Sequence, residues 1–431
     1  MTSDAAKSQR LHFIIVGGSL GGLATGLALK AIGHDTTILE RNTTPVLEQQ
    51  GAGIVAGGDT LTFFKRYNRC DRPIAVTSHR RQYLDKEGKV VHKEDMDQNM
   101  TSWDLAYFIM RANYDGVDSE HCKAPPAVPG HGKAVHEHDR NVTDVKAEGD
   151  RMRVFYKTSK GQEGSVVGDM VVGADGPSSA VRAMVQPDVE RTYAGYCALR
   201  GTIPENDVSL KTREAFSERF TFFHCPGVQI LAYLIPGENG TVEPGKRLIN
   251  FVYYTNFPEG SPELEEIMTD KHGKRRPITM PPGMIDPRAW EKQRQIAGER
   301  LPPQFAEIVR ETRKPFVQAV TDVVSPRNEY MDGKLVLIGD ALAGFRPHTV
   351  ASTSQAAFDA MIFADYIEGK VSKENWKKET MGFAKFIQKR GVDMGIHSQH
   401  QDLPLEDHIR DRNIASTPRE KEVYPDWATA I

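Results

Sequence analysis

Cysteine is scarce in this chain of 431 residues. There are four, Cys70, Cys122, Cys197 and Cys225, with no C-x-x-C pair. A disulfide framework and a thiolate zinc site are thereby excluded, and the cytoplasm is the expected location. Long hydrophobic runs are missing as well. No apolar stretch approaches the ~18 residues of a membrane-spanning helix, and the leading MTSDAAKSQR lacks the apolar core of a signal peptide. Neither sign of charge dominates: 55 basic residues stand against 58 acidic ones, a formal net charge of -3. With no basic stripe and no acidic tail, neither nucleic acid nor a membrane is an expected partner, and a small molecule is favoured. Internal repeats and low-complexity tracts are absent too. The length exceeds the usual single-domain size, so two closely packed domains are expected, and both a monomer and a homodimer remain open.

What is present starts with IIVGGSLGGL, Ile14 to Leu23. A short apolar strand runs into a glycine-rich turn and then an alanine- and leucine-rich helix, the arrangement that grips a dinucleotide. Gly17 permits the tight turn, Gly22 lets the helix pack against the strand, and the helix N-terminus near Leu20 offers free N–H groups to a pyrophosphate. Ser19 stands where the usual pattern has its middle glycine. It is the smallest polar substitute, Gly18 and Gly21 flank it, and the site is expected to survive. The next strand, TTILE, ends at Glu40, followed by Arg41. An acid there accepts from both ribose hydroxyls and disfavours a 2′-phosphate, which indicates FAD or NAD rather than NADP.

Two more apolar runs, MVVG (Met170 to Gly173) and KLVLIG (Lys334 to Gly339), join FIIV (Phe13 to Val16) as strands buried on both faces. If all three share one parallel sheet, the nucleotide domain is discontinuous. The segment from about 191 to 323 differs: YAGYCALRGTI, RFTFFHC, ILAYLIP and RLINFVYYTNF alternate as in an antiparallel sheet. GENGTVEPGK reads as a hairpin loop and KHGKRRPITMPPG as an exposed loop. The expected fold is therefore α/β, a discontinuous Rossmann-like domain binding FAD or NAD with an inserted, mostly antiparallel substrate domain. Its parts are 11–190 (with substrate-domain strands admitted around 75–110), 191–323, 324–400 with the C-terminal helices, and a polar tail over 401–431 ending in a mobile arm.

After MVVG comes Ala174-Asp175-Gly176, and after KLVLI comes Gly339-Asp340-Ala341, then Arg346-Pro347-His348 and the helical stripe STSQAAFDAMIFADYI. An Asp at the carboxyl edge of a parallel strand is placed to accept from a sugar or ribityl hydroxyl. A helix N-terminus near Val350 to Ser354 can stabilise charge on a reduced flavin. GGSLGG with its following LER, then VGADG, then GDA…RPH, in this order, resemble the group A flavoprotein aromatic hydroxylases of the para-hydroxybenzoate hydroxylase fold. YAGYCALRG, INFVYY and RPH are most similar to the dihydroxypyridine-hydroxylating branch, and the resemblance runs from about Leu11 to Gly369. It implies a non-covalent FAD, with Glu40 on the adenosine ribose, Arg111 on the FAD linker, Asp175 on the flavin–nicotinamide path and Asp340 on the ribityl or pyrophosphate region. Pro347 would lie beside the isoalloxazine, and Gly53, Val350, Ala351 and Ser352 would also contact the cofactor. Where many members have a glycine-rich segment beside the flavin, this chain has Val350, Ala351, Ser352 and Thr353.

The resemblance further implies that NADH or NADPH reduces the flavin and leaves, and that O2 then gives a C4a-hydroperoxide which hydroxylates an electron-rich aromatic or heteroaromatic substrate. No second strand–turn–helix unit exists for the nicotinamide, since GHGK (Gly130 to Lys133) lacks the flanking strand and helix. A base for a phenolic proton is most naturally histidine. His348, next to Pro347, is the first candidate, with helix bracing as the alternative role, and His224 in FFHC is the second. Tyr253 and Tyr254 point to opposite faces of one strand, so one of them, Tyr254, is the candidate for the cavity. Arg200 is expected to pair with a carboxylate rather than anchor an anionic substrate. In HEHD, His136 and His138 share a strand face without a third ligand, so no metal site is expected. Competing functions are an NAD-dependent dehydrogenase, which leaves VGADG and GDA…RPH unexplained, and an epoxidase or oxidative decarboxylase of the same fold. A flavin halogenase would need a W-x-W-x-I-P segment, which is absent, and a non-catalytic flavin scaffold would show no substrate-stimulated NAD(P)H oxidation.

Overall fold

The three apolar runs meet in one sheet. The computed structural model describes residues 10–47, 53–400 and 402–430. In it, a six-stranded sheet has the order Glu329–Tyr330, Leu335–Leu337, Met170–Gly173, His12–Val16, Asp35–Leu39, Ala134–Glu137, parallel except at its first edge. Consecutive side chains on a strand face opposite ways. Ile15 therefore meets the helix Leu20–Ala31 and Tyr114 of the helix Trp103–Asp115, while Ile14 meets a small antiparallel sheet (Asn141–Glu148, Arg151–Lys157, Glu163–Gly168) at Gly168. Burial on both faces explains why these strands read as unbroken apolar runs.

The second sheet is larger, ten strands in all. Its order is Thr279–Met280, Phe316–Val324, Thr192–Pro204, Leu248–Asn256, Val228–Ile235, Arg219–Cys225, Val76–Leu84, Val90–Ser102, Gly53–Ala56, with Ala343–Gly344 paired off Phe316–Val324. Neighbours are antiparallel except Arg219–Cys225 with Val76–Leu84. One face, with Leu199, Ile230, Phe251, Tyr253 and Val317, packs on Trp290, Ala297, Phe305 and Ile308 of the helices Pro287–Arg300 and Pro303–Glu311. The opposite face carries Ala198, Leu231, Tyr233, Val252 and Tyr254. Tyr253 and Tyr254 thus part company as alternation requires.

Three features differ from the sequence reading. Besides Val76–Leu84 and Val90–Ser102, in the range where substrate-domain strands are admitted, the earlier strand Gly53–Ala56 also joins the second sheet. The KHGKRRPITMPPG segment is not simply an exposed loop, because Thr279 and Met280 pair with Gln318 and Val317. The polar tail is not a free arm. It forms a helix, Leu405–Ala415, and folds back on the body. Arg81 donates to Asn413 and Ser416 at 2.7 Å each, and Arg419 grips both oxygens of Asp59 at 3.1 and 3.0 Å. The tail's charges read as solvated in sequence because their partners lie hundreds of positions away. Among the described residues, no helix is long and apolar enough to cross a membrane.

Candidate active site

Parallel register builds the first end of the site. Val16 pairs with Leu39 and with Gly173, and Gly173 with Leu337, so Gly17, Glu40, Ala174 and Ile338 follow side by side at one sheet edge. Gly17 has φ +107°, and a Cβ there would come within 2.5 Å of the Ala174 carbonyl oxygen; only glycine fits. Ser19 has φ -85°, a value any residue adopts, which explains why serine is tolerated where the family pattern has glycine. Gly22 lies off the cleft wall. A Cβ on it would sit 1.9 Å from the Gly17 carbonyl oxygen, so its role is close helix–strand packing. The helix Leu20–Ala31 opens with no side-chain cap and no acid in its first turn, leaving its N–H groups for an anion.

Glu40 is buried beside this turn. Its Oε2 accepts from Gly18 N at 2.7 Å and its Oε1 from Asn42 N at 2.8 Å. A carboxylate has lone pairs beyond those two, so it can still accept from a sugar. His136, read as an exposed strand residue, instead tucks its ring against Gly18; burial pushes its pKa down to about 4 and both nitrogens lack a partner. Asp175 accepts from Ser179 Oγ at 2.5 Å and Ala180 N at 2.7 Å, and lines the cleft. Asp340 lines it too. Its buried Oδ1 has no partner, and burial raises its pKa to about 6. Beneath the same turn lies a residue the sequence reading missed. Asp359 Oδ2 accepts from Gly339 N at 2.9 Å, and burial lifts this carboxyl to about 8.

Pro347, Val350, Ala351 and Ser352 all reach the cleft wall. Val350 sits at φ +52°, the left-handed region that a β-branched side chain rarely adopts. The turn is held by Arg412 of the tail helix, which donates to the His348 carbonyl oxygen at 2.5 Å. The helix Ser352–Ile367 that follows also opens without a side-chain cap or an acid in its first turn.

Between the two sheets runs a cleft of about 990 Å³, at the upper end of ordinary ligand sites. Gly17, Ser19, Leu20, Glu40 and Arg41 line one end, Asp175 and Asp340 the middle, and Gly53 with the late turn the other end. Two uncapped helix N-termini, the buried Glu40 acceptor on the cleft wall and the orphaned Asp340 oxygen fit an extended dinucleotide such as FAD.

The large sheet contributes Arg200, Leu231, Tyr233, Val252, Tyr254 and Gln318 to the cleft from the face opposite its helices. Arg200 lies over Phe316, 5.4 Å from the ring centroid, and its Nη2 donates to the Gly53 carbonyl oxygen at 3.4 Å. No carboxylate among the described residues pairs with it, contrary to the expectation of a salt bridge. Gly53 itself donates its N–H to Asn250 Oδ1 at 2.9 Å. Trp103, Arg191 and the Arg276–Thr279 segment also line the cleft; nothing in their local sequence marks them.

Neither candidate histidine reaches the cleft wall. His348 is buried, with Nε2 at 2.9 Å from Tyr196 Oη and Nδ1 at 2.7 Å from Gln229 Oε1. Burial, then Arg412 and Arg346, hold its pKa well below the usual imidazole value. Since the Gln229 oxygen accepts, Nδ1 donates and Nε2 receives the tyrosine proton. The ring lies against Tyr254, with centroids 4.3 Å apart and planes tilted by 32°. His224 stacks on His408 at 4.1 Å, with Gln229 Nε2 3.4 Å from its Nε2. Burial likewise lowers its pKa. Arg111 is also off the wall, tied to Asp115 by two contacts of 2.9 Å, to the Pro45 carbonyl oxygen at 2.9 Å and to Tyr107 Oη at 2.6 Å. Tyr254 does line the cleft.

A protein-family model described as FAD binding domain-like matches residues 193–322, which here form much of the large sheet. Over 81% of its length the chain is 30% identical to 81% of the 2,6-dihydroxypyridine 3-monooxygenase of Paenarthrobacter nicotinovorans. It is 24% identical to a salicylate hydroxylase of Pseudomonas putida, covering 84% of this chain and 78% of that one. The solved 2,6-dihydroxypyridine-3-hydroxylase from Arthrobacter nicotinovorans superposes with a TM-score of 0.78 at 27% identity, covering 92% of this chain and 94% of that chain.

Proposed function

The chain belongs to the FAD-dependent aromatic monooxygenases, and from that membership we propose that it hydroxylates a small electron-rich ring, phenolic or hydroxypyridine-like, that binds as an anion against Arg200. When bound, FAD supplies the redox chemistry that activates O2, with NADH or NADPH as the visiting reductant. The remainder is this chain's contribution. Glu40 and the N-terminus of the helix Leu20–Ala31 hold the adenosine and pyrophosphate, and Asp340 and the uncapped helix at Ser352 hold the ring end.

The observation that carries the substrate class is the unpaired guanidinium of Arg200. Among the described residues it meets Phe316, the Gly53 carbonyl oxygen and, across the strand pair, Val252, and it forms no ion pair with a carboxylate. An opposite charge close by favours the ionised form of an acidic hydroxyl. Arg200 thus holds the substrate as its anion, the electron-rich form, and no histidine base at the ring is required. Tyr254, backed by His348, fixes one wall, and the apolar faces of Leu231 and Val252 exclude water. An aromatic compound without an acidic group lacks this anchor.

The test is to mix the holoenzyme with NADH or NADPH and a panel of phenols, hydroxypyridines and salicylates, with O-methylated counterparts. Acidic members are expected to accelerate flavin bleaching with matching oxygen uptake. Equal stimulation by the methylated compounds would refute the anionic mode. No stimulation by any acidic aromatic would refute the hydroxylase reading of this cleft.

A further inference from the structure

Away from the cleft, the structure gathers two thiols from separate segments. Cys70 follows the helix Gly58–Tyr67, and Cys122 lies in the loop after the helix Trp103–Asp115. Cys70 Sγ is 3.6 Å from the carbonyl oxygen of Lys123, the neighbour of Cys122, on the solvent side. Cys122 is buried with its Sγ 3.5 Å from the Phe108 carbonyl oxygen, and its thiol also interacts directly with that of Cys70. Asn113 fixes the arrangement. Its Nδ2 approaches Cys70 Sγ at 3.2 Å, Asn68 Oδ1 at 2.9 Å and the Ile109 carbonyl oxygen at 2.8 Å, while its Oδ1 accepts from Arg69 N at 2.9 Å.

Positive charge surrounds the pair. Arg69 donates to the Pro126 carbonyl oxygen, and Arg72 to the carbonyl oxygens of Asn239 and Gly240. No ion pair to a carboxylate is formed by either guanidinium among the described residues. The neighbouring Cys122, then Asn113 and the Arg72 and Arg69 charges, lower the Cys70 thiol to about 7 against the effect of burial. The proximity of Cys70 and burial push Cys122 upward. Cys70 is therefore the partly exposed sulfur, with its thiol lowered, and Cys122 is the buried sulfur beside it. That is the arrangement of an attacking and a resolving cysteine. Both sulfurs are free, and neither residue is used by the flavin cleft.

We propose that Cys70 and Cys122 form a peroxide-responsive dithiol site that closes reversibly to a disulfide. In the first step the Cys70 thiolate attacks one oxygen of hydrogen peroxide. An S–O bond forms, the O–O bond breaks, and the departing hydroxide takes up a proton to leave as water. In the second step the Cys122 sulfur attacks the sulfenic acid; an S–S bond forms, the S–O bond breaks, and the hydroxyl leaves with the Cys122 proton as water. Two thiols lose two electrons in all, and one peroxide becomes two waters.

The experiment uses the full-length holoenzyme. Iodoacetamide labelling followed by peptide mass spectrometry should modify Cys70 at least about tenfold faster at pH 7 than Cys225, whose thiol is also only partly covered but is pushed up by burial. Brief hydrogen peroxide treatment should yield a Cys70–Cys122 cross-linked peptide that dithiothreitol removes. Cys122→Ser should instead leave a dimedone-reactive sulfenic acid on Cys70, and Cys70→Ser should leave Cys122 unoxidised. Labelling of Cys70 no faster than of Cys225, or peroxide oxidation without the cross-link, would overturn the proposal. The wild-type labelling needs no variant to fold.

Discussion

Replacing Arg200 by methionine keeps the side chain's apolar stem over Phe316 and removes the positive charge from the substrate end of the cleft. The hydrogen bond to the Gly53 carbonyl oxygen is long, 3.4 Å, so little of the loss will come from the resting protein. A hydrogen bond to a charged partner contributes about 1.5–3 kcal/mol. At about 1.4 kcal/mol per factor of ten, kcat/KM for an acidic aromatic substrate should fall roughly 10- to 150-fold. The assay compares substrate-stimulated NAD(P)H oxidation and oxygen uptake for one acidic compound and its O-methyl ether in wild type and Arg200→Met. The acidic compound should lose its advantage, and the ether should change little. Arg200→Lys should restore only part of the loss, because an ammonium cannot lie flat on Phe316 or present a planar fork. Equal losses for both compounds, or none for either, would refute the reasoning.

Other substitutions test the cofactor end. Glu40→Ala leaves the Gly18 and Asn42 N–H groups without their acceptor and removes the expected ribose contact, costing about 1–3 kcal/mol for each unsatisfied group; flavin fluorescence released on dilution should rise well above wild type. Gly22→Ala drives a Cβ to 1.9 Å from the Gly17 carbonyl oxygen and should abolish flavin retention, whereas Ser19→Gly should retain the flavin. Equal behaviour of these two in a flavin-content assay would contradict the assigned backbone roles. For Asp359, the folded pKa of about 8 lies above the ordinary carboxyl value of ~4. Between those values the native state holds a proton that the unfolded chain has released, so stability is full in acid and drains as pH rises towards 8. Asp359→Asn keeps an acceptor for Gly339 N and cannot ionise. Its melting temperature should therefore gain on wild type progressively from pH 5 to pH 8, and a pH-independent difference would contradict this.

The parts legible in sequence are those set by short-range rules. A buried parallel strand, a glycine forced to positive φ at Gly17 and an acid closing the second strand at Glu40 all declare themselves within a few residues. Alternation likewise put Tyr254 and Tyr253 on opposite faces. Other placements depend on who sits opposite. His348 follows Pro347 in sequence, but its ring turns inward because Tyr196 and Gln229, from two strands of the large sheet, meet both nitrogens. Arg200 lacks the carboxylate partner that base rates suggest, and no local pattern reveals a missing partner. Arg111 follows Tyr107 by one helical turn and precedes Asp115 by another, so an i,i+4 pair consumes it within its own helix. The tail reads as a free arm in sequence because its polar residues find their partners at Arg81, Asp59 and the late turn, far away along the chain.

In the proposed reaction the cleft between the two sheets holds FAD at one end and an anionic aromatic ring at the other, and one atom of O2 passes to that ring. Single-turnover reaction of the reduced holoenzyme with 18O2 and the best-stimulating acidic aromatic tests it most directly. Each hydroxylated product molecule should carry one 18O atom, with product yield collapsing in Arg200→Met while flavin content stays at the wild-type level. Flavin reoxidation without 18O in any product, or full incorporation by Arg200→Met, would contradict it.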